Sequence, residues 1–248
     1  MDNPNQTYSE PKADRQFRYF DLIMSIFVTV LIVSNVASSA KIIDLKISFF
    51  GVPLAFDGGT IFFPASYIFG DILTEVYGYK RTRRVIWIGF FCLALASAFL
   101  WLVGVLPGEA TWQQYAGDAA YGAILGGMST GGIVLGSLAG SWAGEFSNSF
   151  ILAKMKILTG GKYLWMRTIG STLVGELVDS AFFITIASLF GVFPWSLFVT
   201  LVFTNYLFKT SVEVLFTPLT YLVVNYFKKA EGEDYYDRGT DFNPFQLG

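Results

Sequence analysis

Residues 84–105 read RVIWIGFFCLALASAFLWLVGV, and Arg84 at the first position is the one charged side chain in the stretch. A helix needs roughly 20 mostly apolar residues to cross ~30 Å of hydrocarbon. The stretch is long enough and apolar enough to do so, and it therefore predicts a membrane-spanning helix.

Five more segments have the same character, although polar residues interrupt some of them. The six predicted helices lie at about 20–41, 59–79, 84–105, 120–148, 168–190 and 195–226. The second is the weakest by hydropathy, because Asp71 and Glu75 lie inside it. We therefore predict an all-α membrane protein with one six-helix domain at 20–226. A polar N-terminal segment at 1–19 precedes it, and a polar tail at 227–248, expected to be loosely ordered, follows it.

The composition agrees with a membrane protein. Hydrophobic residues make up 53% of the chain and charged residues 15%, whereas soluble domains carry about 25% charged residues. The net charge of -2 gives no hint of a nucleic-acid partner. The chain has no histidine, which removes the commonest general base and metal ligand, so we expect neither a metal nor a cofactor.

The basic residues are distributed unevenly between the two sides of the predicted membrane domain. On the side of the N-terminus lie 14 of the 17 Lys and Arg residues, whereas Lys41 and Lys46 lie on the other side and Lys209 lies inside a helix. Loops rich in Lys and Arg stay in the cytoplasm. The pattern predicts that both termini are cytoplasmic, which requires an even number of helices.

Seven ionisable residues fall inside the predicted helices. One charge at the membrane centre costs about 2.5–3.5 kcal/mol, so seven unpaired charges would cost roughly 20 kcal/mol. A protein of marginal stability could not carry that cost, and these residues are expected to face one another, water or a ligand. They are Asp71, Glu75, Glu145, Glu176, Asp179, Lys209 and Glu213.

The spacing of these residues predicts that each helix carries one polar stripe. Residues three or four positions apart share a helix face, so the stripes are expected to point into one central cavity. The stripes are Asp71 with Glu75, Glu145 with Asn148, Glu176 with Asp179, and Asn205 with Lys209 and Glu213, and Asn35 adds a polar group on the first helix.

Simpler roles for some of these residues stay open from the sequence alone. Lys209 and Glu213 could neutralise each other, and Glu145 and Glu176 could cap neighbouring loops. Six acids face one base, so some carboxylates are expected to be protonated, paired with a donor on a substrate, or paired with Arg167. One hypothesis that follows is proton exchange during transport.

A ridge of glycines runs along the fourth predicted helix. Gly132, Gly136, Gly140 and Gly144 are four residues apart and therefore share a face. Without side chains there, a neighbouring helix can approach closely. We interpret the ridge as a helix-packing surface rather than a ligand site.

Two stretches resemble a known family. Residues 63–84 read FPASYIFGDILTEVYGYKRTRR, and residues 140–179 read GSWAGEFSNSFILAKMKILTGGKYLWMRTIGSTLVGELVD. Together they are similar to the queuosine precursor transporters, also called the vitamin uptake transporter family, and the resemblance covers roughly residues 20–226. It implies a six-helix protein of the bacterial inner (cytoplasmic) membrane. The implied substrates are 7-cyano-7-deazaguanine and, as a second candidate, 7-aminomethyl-7-deazaguanine.

The intramembrane residues suit such a substrate. A guanine-type base presents an amino donor beside a ring N–H, so one carboxylate could accept from both, while a Lys, Arg or Asn side chain could donate to O6. The flat ring would stack on an aromatic side chain such as Tyr67, Tyr77, Phe146 or Phe182. The candidate substrate-binding residues are Asn35, Asp71, Glu75, Glu145, Asn148, Arg167, Glu176, Asp179, Asn205, Lys209 and Glu213.

Three other functions were weighed against a stand-alone carrier. An intramembrane aspartyl protease would need two facing Asp residues, but its G-x-G-D signature is incomplete because residues 68–71 read IFGD. A substrate-capture subunit of an ATPase-driven importer, for another small heterocyclic vitamin-like compound, stays open. So does a passive channel. The sequence also leaves homo-oligomerisation open.

Overall fold

The computed structural model describes residues 17–49, 52–129, 132–191 and 194–246, and most of these residues are helical. The helices are α1 Phe20–Ala40, α2 Phe63–Ile72, α3 Tyr79–Val105, α4 Ala110–Tyr115, α5 Gly117–Ser129, α6 Gly132–Leu158, α7 Leu164–Leu189 and α8 Phe198–Glu231. Shorter 3₁₀ turns span Gly58–Ile61 and Trp195–Leu197, and a π-helical turn spans Leu73–Tyr77.

Five helical stretches of the described chain are long and apolar enough to cross a membrane. They are α1, α3, the pair α5 and α6, α7 and α8, and they confirm the prediction of a multi-pass membrane protein. The pair α5 and α6 runs over residues 130–131, which lie outside the described residues. Each of these stretches overlaps one of the six predicted helices.

The second predicted helix, 59–79, is divided in the structure. A 3₁₀ turn is followed by the ten-residue α2 and then by the π-helical turn, which ends at Gly78. Gly78 has a φ of +87°, and a Cβ built there would lie 2.2 Å from the ring of Tyr235. Glycine is the residue that adopts this conformation without strain and leaves room for that ring. The sixth membrane-spanning helix, predicted at 59–79, stays a prediction, because α2 with the π-helical turn is not among the five stretches of the described chain that are long and apolar enough to cross.

The fold is helical, as predicted, and the segment between α1 and α2 adds a two-stranded β-hairpin to it. Strand β1, Ile42–Phe49, pairs antiparallel with strand β2, Val52–Asp57, and Ile42 lies opposite Asp57. The strands are rich in Ile, Phe and Val, which favour extended backbone.

Several helix boundaries lie further out than predicted, because charged residues occupy helix ends that the hydropathy pattern assigned to loops. Helix α3 begins at Tyr79 rather than at residue 84, and α6 continues to Leu158 rather than ending at 148. Helix α8 continues to Glu231. The basic residues in these turns therefore belong to the helical bundle.

The glycine ridge packs α6 against α7, as predicted. A Cβ built on Gly140 would lie 2.9 Å from the carbonyl oxygen of Asp179, and a Cβ built on Gly144 would lie 2.7 Å from the Cβ of Asp179. From the other side, a Cβ on Gly175 would lie 2.9 Å from the Cβ of Asn148. The close approach places the polar stripes of α6 and α7 side by side.

The start of α1 and the end of α8 lie together, and we call this end of the bundle the terminal end. The Glu231 carboxylate accepts hydrogen bonds from the backbone N–H groups of Arg18, at 3.1 Å, and Tyr19, at 2.6 Å. The hydroxyl of Tyr77 donates to the same carboxylate at 2.8 Å. An even number of membrane crossings would bring the two ends together in this way.

The tail beyond Glu231 is docked at the terminal end, so the expectation of a loosely ordered tail is wrong. The Asp237 carboxylate accepts from the backbone N–H of Tyr79, at 2.9 and 3.1 Å, in the first turn of α3. The indole N–H of Trp87 donates to the carbonyl of Pro244 at 2.8 Å. An acid at a helix N-terminus satisfies N–H groups that have no partner within the helix, and this binds the tail to α3.

Candidate functional site

A small cavity lies between α1, α2, α6 and α7. Its volume is about 10 Å³, which is enough for about one water molecule. Polar groups from all four helices line it, with Asn35 on α1, Ser66 and Tyr67 on α2, Glu145 on α6, and Asp179 on α7. The predicted convergence of polar side chains on a central cavity is therefore present for these residues.

Lys209 of α8 lies against the carboxylates of α7. Its ammonium group hydrogen-bonds the Asp179 carboxylate and lies 3.6 Å from the Glu176 carboxylate. These ion pairs cross between helices, so the mutual neutralisation of Lys209 and Glu213 that the spacing allowed is not what the structure shows. Tyr67 adds a side-chain hydrogen bond to Glu176 from α2. Three helices thus meet at one ammonium group and two carboxylates.

Three further buried carboxylates belong to the same region, and in the part of the chain that the structure describes none of them forms an ion pair. Asp71 accepts a hydrogen bond of 3.0 Å from the amide of Asn148, and Glu145 accepts one of 3.5 Å from the hydroxyl of Ser66. Glu145 is close enough to Asp71, Glu176 and Asp179 to interact with them electrostatically. Glu213, which is 4% exposed, is likewise close enough to interact with Asp71, Glu145 and Glu176. We call Asp71, Glu145, Glu176, Asp179 and Glu213 with Lys209 the acid cluster.

Several acceptor atoms of the acid cluster are buried without a hydrogen-bond partner. They are the second oxygens of Asp71 and Glu145, Oε2 of Glu176, and the amide oxygen of the neighbouring Asn148. A buried acceptor without a donor costs about 1–3 kcal/mol, and more if it is charged. The cluster can therefore accept hydrogen bonds from a ligand that brings donors.

Glu75 and Arg167 lie in a different network. The guanidinium of Arg167 and the ammonium of Lys228 both donate to Oε1 of Glu75, the latter at 2.6 Å, and the ammonium of Lys156 lies 3.6 Å away. Asp234 of the tail pairs with Lys156 at 2.6 Å and with Lys228 at 2.9 Å. We call these five residues the basic network.

The basic network belongs to the terminal end of the bundle. Glu75 lies in the π-helical turn, Arg167 in the first turn of α7 and Lys228 in the last turn of α8. Glu75 and Arg167 are both completely buried. Their contacts are with each other, with lysines and with the tail, so they join the terminal ends of the helices rather than line the cavity.

The remaining polar candidates, Asn35 and Asn205, form no ion pairs within the part of the chain that the structure describes. The Asn35 side chain accepts a hydrogen bond from the hydroxyl of Ser137 and donates at 2.9 Å to the carbonyl of Leu31. Asn205 is partly exposed on α8, and in the described part of the chain it has no hydrogen bond or ion pair with the acid cluster. Of the aromatic candidates, Tyr67 lines the cavity, whereas Phe182 is 49% exposed.

Sequence reasoning missed the polar partners that complete both clusters. Ser66 and Tyr67 lie on α2 one turn before Gly70 and Asp71, and a helical projection of this segment could have found them. Lys156 and Lys228 had been assigned to cytoplasmic loops, because basic residues near helix ends usually set topology. Only the tertiary structure brings them to Glu75.

The chain was then compared with known proteins. A family model described as "Putative vitamin uptake transporter" matches residues 57–223, which is more than half of the chain. The chain belongs to the vitamin uptake transporter family. The match runs from β2 into α8 and includes every candidate residue except Asn35. Membership confirms the resemblance inferred from residues 63–84 and 140–179.

A curated relative supports the same assignment. A protein of Bacillus subtilis (strain 168) named "Probable queuosine precursor transporter" is 29% identical over 167 residues, which cover 66% of this chain and 67% of the relative. No solved structure matches the chain. The family and the relative are transporters, which agrees with the expectation that the chain is not an enzyme. The chain is thus a multi-pass membrane protein of a transporter family.

Proposed function

We propose that the chain imports queuosine precursors across the cytoplasmic membrane, with 7-cyano-7-deazaguanine as the principal substrate and 7-aminomethyl-7-deazaguanine as a second one. The printed name of the Bacillus subtilis relative supports the substrate class. The observation that carries the proposal is the acid cluster, in which the ammonium of Lys209 pairs with two of five buried carboxylates.

The chemistry of a 7-deazaguanine base complements the acid cluster. Its ring N–H and amino group point in nearly the same direction, so one carboxylate can accept from both. Glu145 and Glu176 each have a buried oxygen without a hydrogen-bond partner, and either can take this part. The ammonium of Lys209 can donate to O6, and Tyr67 offers an aromatic face beside the same cavity.

The surplus of carboxylates bears on the second substrate. An aminomethyl group is a cation at neutral pH, and a site for it needs a further carboxylate nearby. Asp71, Glu145 and Glu213 are the members of the acid cluster that form no ion pair with Lys209 among the described residues, and one of them can supply that carboxylate. We therefore propose that the same site accepts both precursors.

The cavity has to enlarge for either substrate to enter. A volume of about 10 Å³ holds about one water molecule and not a fused bicyclic base. Transport then requires the helices around the acid cluster to separate and close again. With both termini cytoplasmic, as the basic residues predict, the basic network would lie on the cytoplasmic side of the substrate site.

A second candidate function is the substrate-capture subunit of an ATPase-driven importer. The chain contains no G-x-x-x-x-G-K-[ST] loop, so it does not bind ATP through that motif. Such a subunit would bind a small heterocyclic compound in the same acid cluster but would need a partner to move it. The two functions differ in whether the chain alone supports uptake.

The test uses bacterial cells that can neither make nor import queuosine precursors. The chain alone is expressed in them, 7-cyano-7-deazaguanine is supplied, and queuosine in tRNA is measured. The proposal predicts queuosine with the unaltered chain and with the control Asp21→Asn, whose carboxylate is exposed at the start of α1. It predicts none with Glu176→Gln. Absence of queuosine despite normal membrane expression of the unaltered chain would contradict stand-alone import of this substrate.

A further inference from the structure

A second pocket lies at the terminal end, outside the membrane cavity. It has a volume of about 290 Å³ and is formed by the first turn of α3 and by the docked tail around residues 238–241. Its charged lining residues are Lys80, Arg83, Arg238 and Asp241, which leave an excess of two positive charges. We call it the tail pocket.

Arg83 is the central residue of the tail pocket. Its side chain is 2% exposed, and its guanidinium donates to the backbone carbonyls of Asp241 and Asn243. Its Nε is buried without a hydrogen-bond partner. Within residues 17–49, 52–129, 132–191 and 194–246, no carboxylate forms an ion pair with it. A buried cation without a counter-ion is costly, and an anion in the adjoining pocket would lower that cost.

The other two cations are placed to meet the same anion. Lys80 and Arg238 are exposed side chains that line the tail pocket from α3 and from the tail. Gly239, with a φ of +83°, turns the tail between Arg238 and Asp241. The one acid of the lining, Asp241, accepts a hydrogen bond from the backbone N–H of Asn243 at 2.9 Å. Two guanidinium groups and an ammonium group are the side chains that proteins use most often for phosphate.

The size and position of the tail pocket restrict what can occupy it. A water molecule takes up about 30 Å³ in the liquid, so about 290 Å³ is larger than a single ion needs. The pocket lies where α3 begins, immediately before the apolar run that starts at Val85. Basic side chains at this level of a membrane protein meet lipid headgroups.

We propose that the tail pocket binds a phosphate group, carried either by the headgroup of an anionic phospholipid or by a soluble phosphate compound. Binding there holds the tail against α3 and supplies the counter-charge for Arg83. The site is separate from the acid cluster, and its ligand is not the transported substrate.

The test measures binding to the purified full chain in a neutral detergent. One arm compares phosphatidylglycerol with zwitterionic phosphatidylcholine by counting bound lipids with native mass spectrometry. The other arm compares inorganic phosphate with chloride at equal ionic strength by thermal unfolding. The variant is Lys80→Gln with Arg238→Gln, and the matched control is Arg84→Gln, an exposed basic residue of the same helix that does not line the pocket.

We expect the unaltered chain to bind phosphatidylglycerol in preference to phosphatidylcholine. The double variant should bind phosphatidylglycerol about 30-fold more weakly, and the affinity of the control should stay within about twofold of the unaltered chain. Stabilisation by inorganic phosphate that the double variant loses would support the site with a soluble ligand. If the double variant unfolds, Arg238→Gln alone serves, because that residue is an exposed part of the tail. Equal binding of both lipids with no effect of phosphate, or an unchanged affinity in the double variant, would overturn the proposal.

Discussion

Replacing Glu75 by Gln tests the separation between the basic network and the acid cluster. Glu75 is completely buried, and its Oε1 receives Arg167 and Lys228, with Lys156 at 3.6 Å. After the replacement, three cations would share the one remaining carboxylate of the network, Asp234, which is 45% exposed. The variant therefore leaves buried positive charge without compensation.

The expected size of this effect follows from the burial of each partner. Removing one member of a buried ion pair costs about 3–5 kcal/mol. Lys228 is 17% exposed and can turn towards water, so we expect a value near the lower end, about 3 kcal/mol. For a chain of this size, that corresponds to a fall in unfolding temperature of roughly 6–12 °C.

The assay is thermal unfolding of the purified protein in detergent, followed by tryptophan fluorescence. The control is Glu145→Gln in the acid cluster, whose Oε2 has no hydrogen-bond partner to lose. We expect that control to change the free energy of unfolding by less than about 1 kcal/mol, while it abolishes uptake. If Glu75→Gln unfolds at the same temperature as Glu145→Gln, the assignment of Glu75 to a structural network is refuted.

Three further predictions follow from the same geometry. Gly140→Val should separate α6 from α7 and lower the free energy of unfolding by about 1–3 kcal/mol, because a Cβ at this position would meet the α7 backbone at 2.9 Å. The control Gly126→Ala should not destabilise the protein, because a Cβ there has nothing within 4 Å. Glu176→Gln should weaken substrate binding about 10- to 150-fold in a titration, the range for one lost charged hydrogen bond, and an unchanged affinity would remove it from the site. Burial alone would raise the pKa of Asp234, but the ammonium groups of Lys156 and Lys228 outweigh burial and hold that pKa below its usual value. This carboxylate therefore stabilises the docked tail above about pH 4, and the stabilisation is lost as the pH falls through the folded pKa. Asp234→Asn should therefore speed proteolysis of the tail at pH 7, and the difference from the unaltered chain should shrink as the pH falls below about 4. Equal rates at pH 7 would count against the ion pairs.

The membrane helices could be predicted because lipid imposes a length and a composition on any segment that crosses it. Residues 84–105 show this directly, since they lie within α3 of the structure. The hairpin at Ile42–Asp57 could not be recognised in the same way. Its pairing depends on the register between two strands, which hydropathy does not report.

The end of the second helical segment has a local signature that hydropathy does not report. Gly78 follows the π-helical turn with a positive φ, and the Tyr235 ring occupies the space that a side chain would take there. That ring comes from the tail, more than 150 residues later in the sequence. A π-helical turn is rare and is found often at functional sites, and no periodicity of the segment distinguished it from an ordinary helix.

The acid cluster was largely predictable because charges at membrane depth are costly unless they converge. Asp71, Glu145, Glu176 and Asp179 were expected to share a cavity, and they interact electrostatically in the structure. Pairing of a carboxylate with Arg167 was one of the expected alternatives, but the identity of that carboxylate was not predictable. Glu75 shares a helix face with Asp71 by spacing, yet it pairs with residues that lie far from it in the sequence.

The most direct test of the account is the binding of 7-cyano-7-deazaguanine to the purified chain, measured by titration calorimetry for the unaltered protein and for Glu145→Gln. The account predicts saturable binding to the unaltered chain and its loss in Glu145→Gln, with the variant still folded by its unfolding temperature. Equal affinity of the two proteins, or no binding to a folded unaltered chain, would contradict the claim that the acid cluster holds a 7-deazaguanine base.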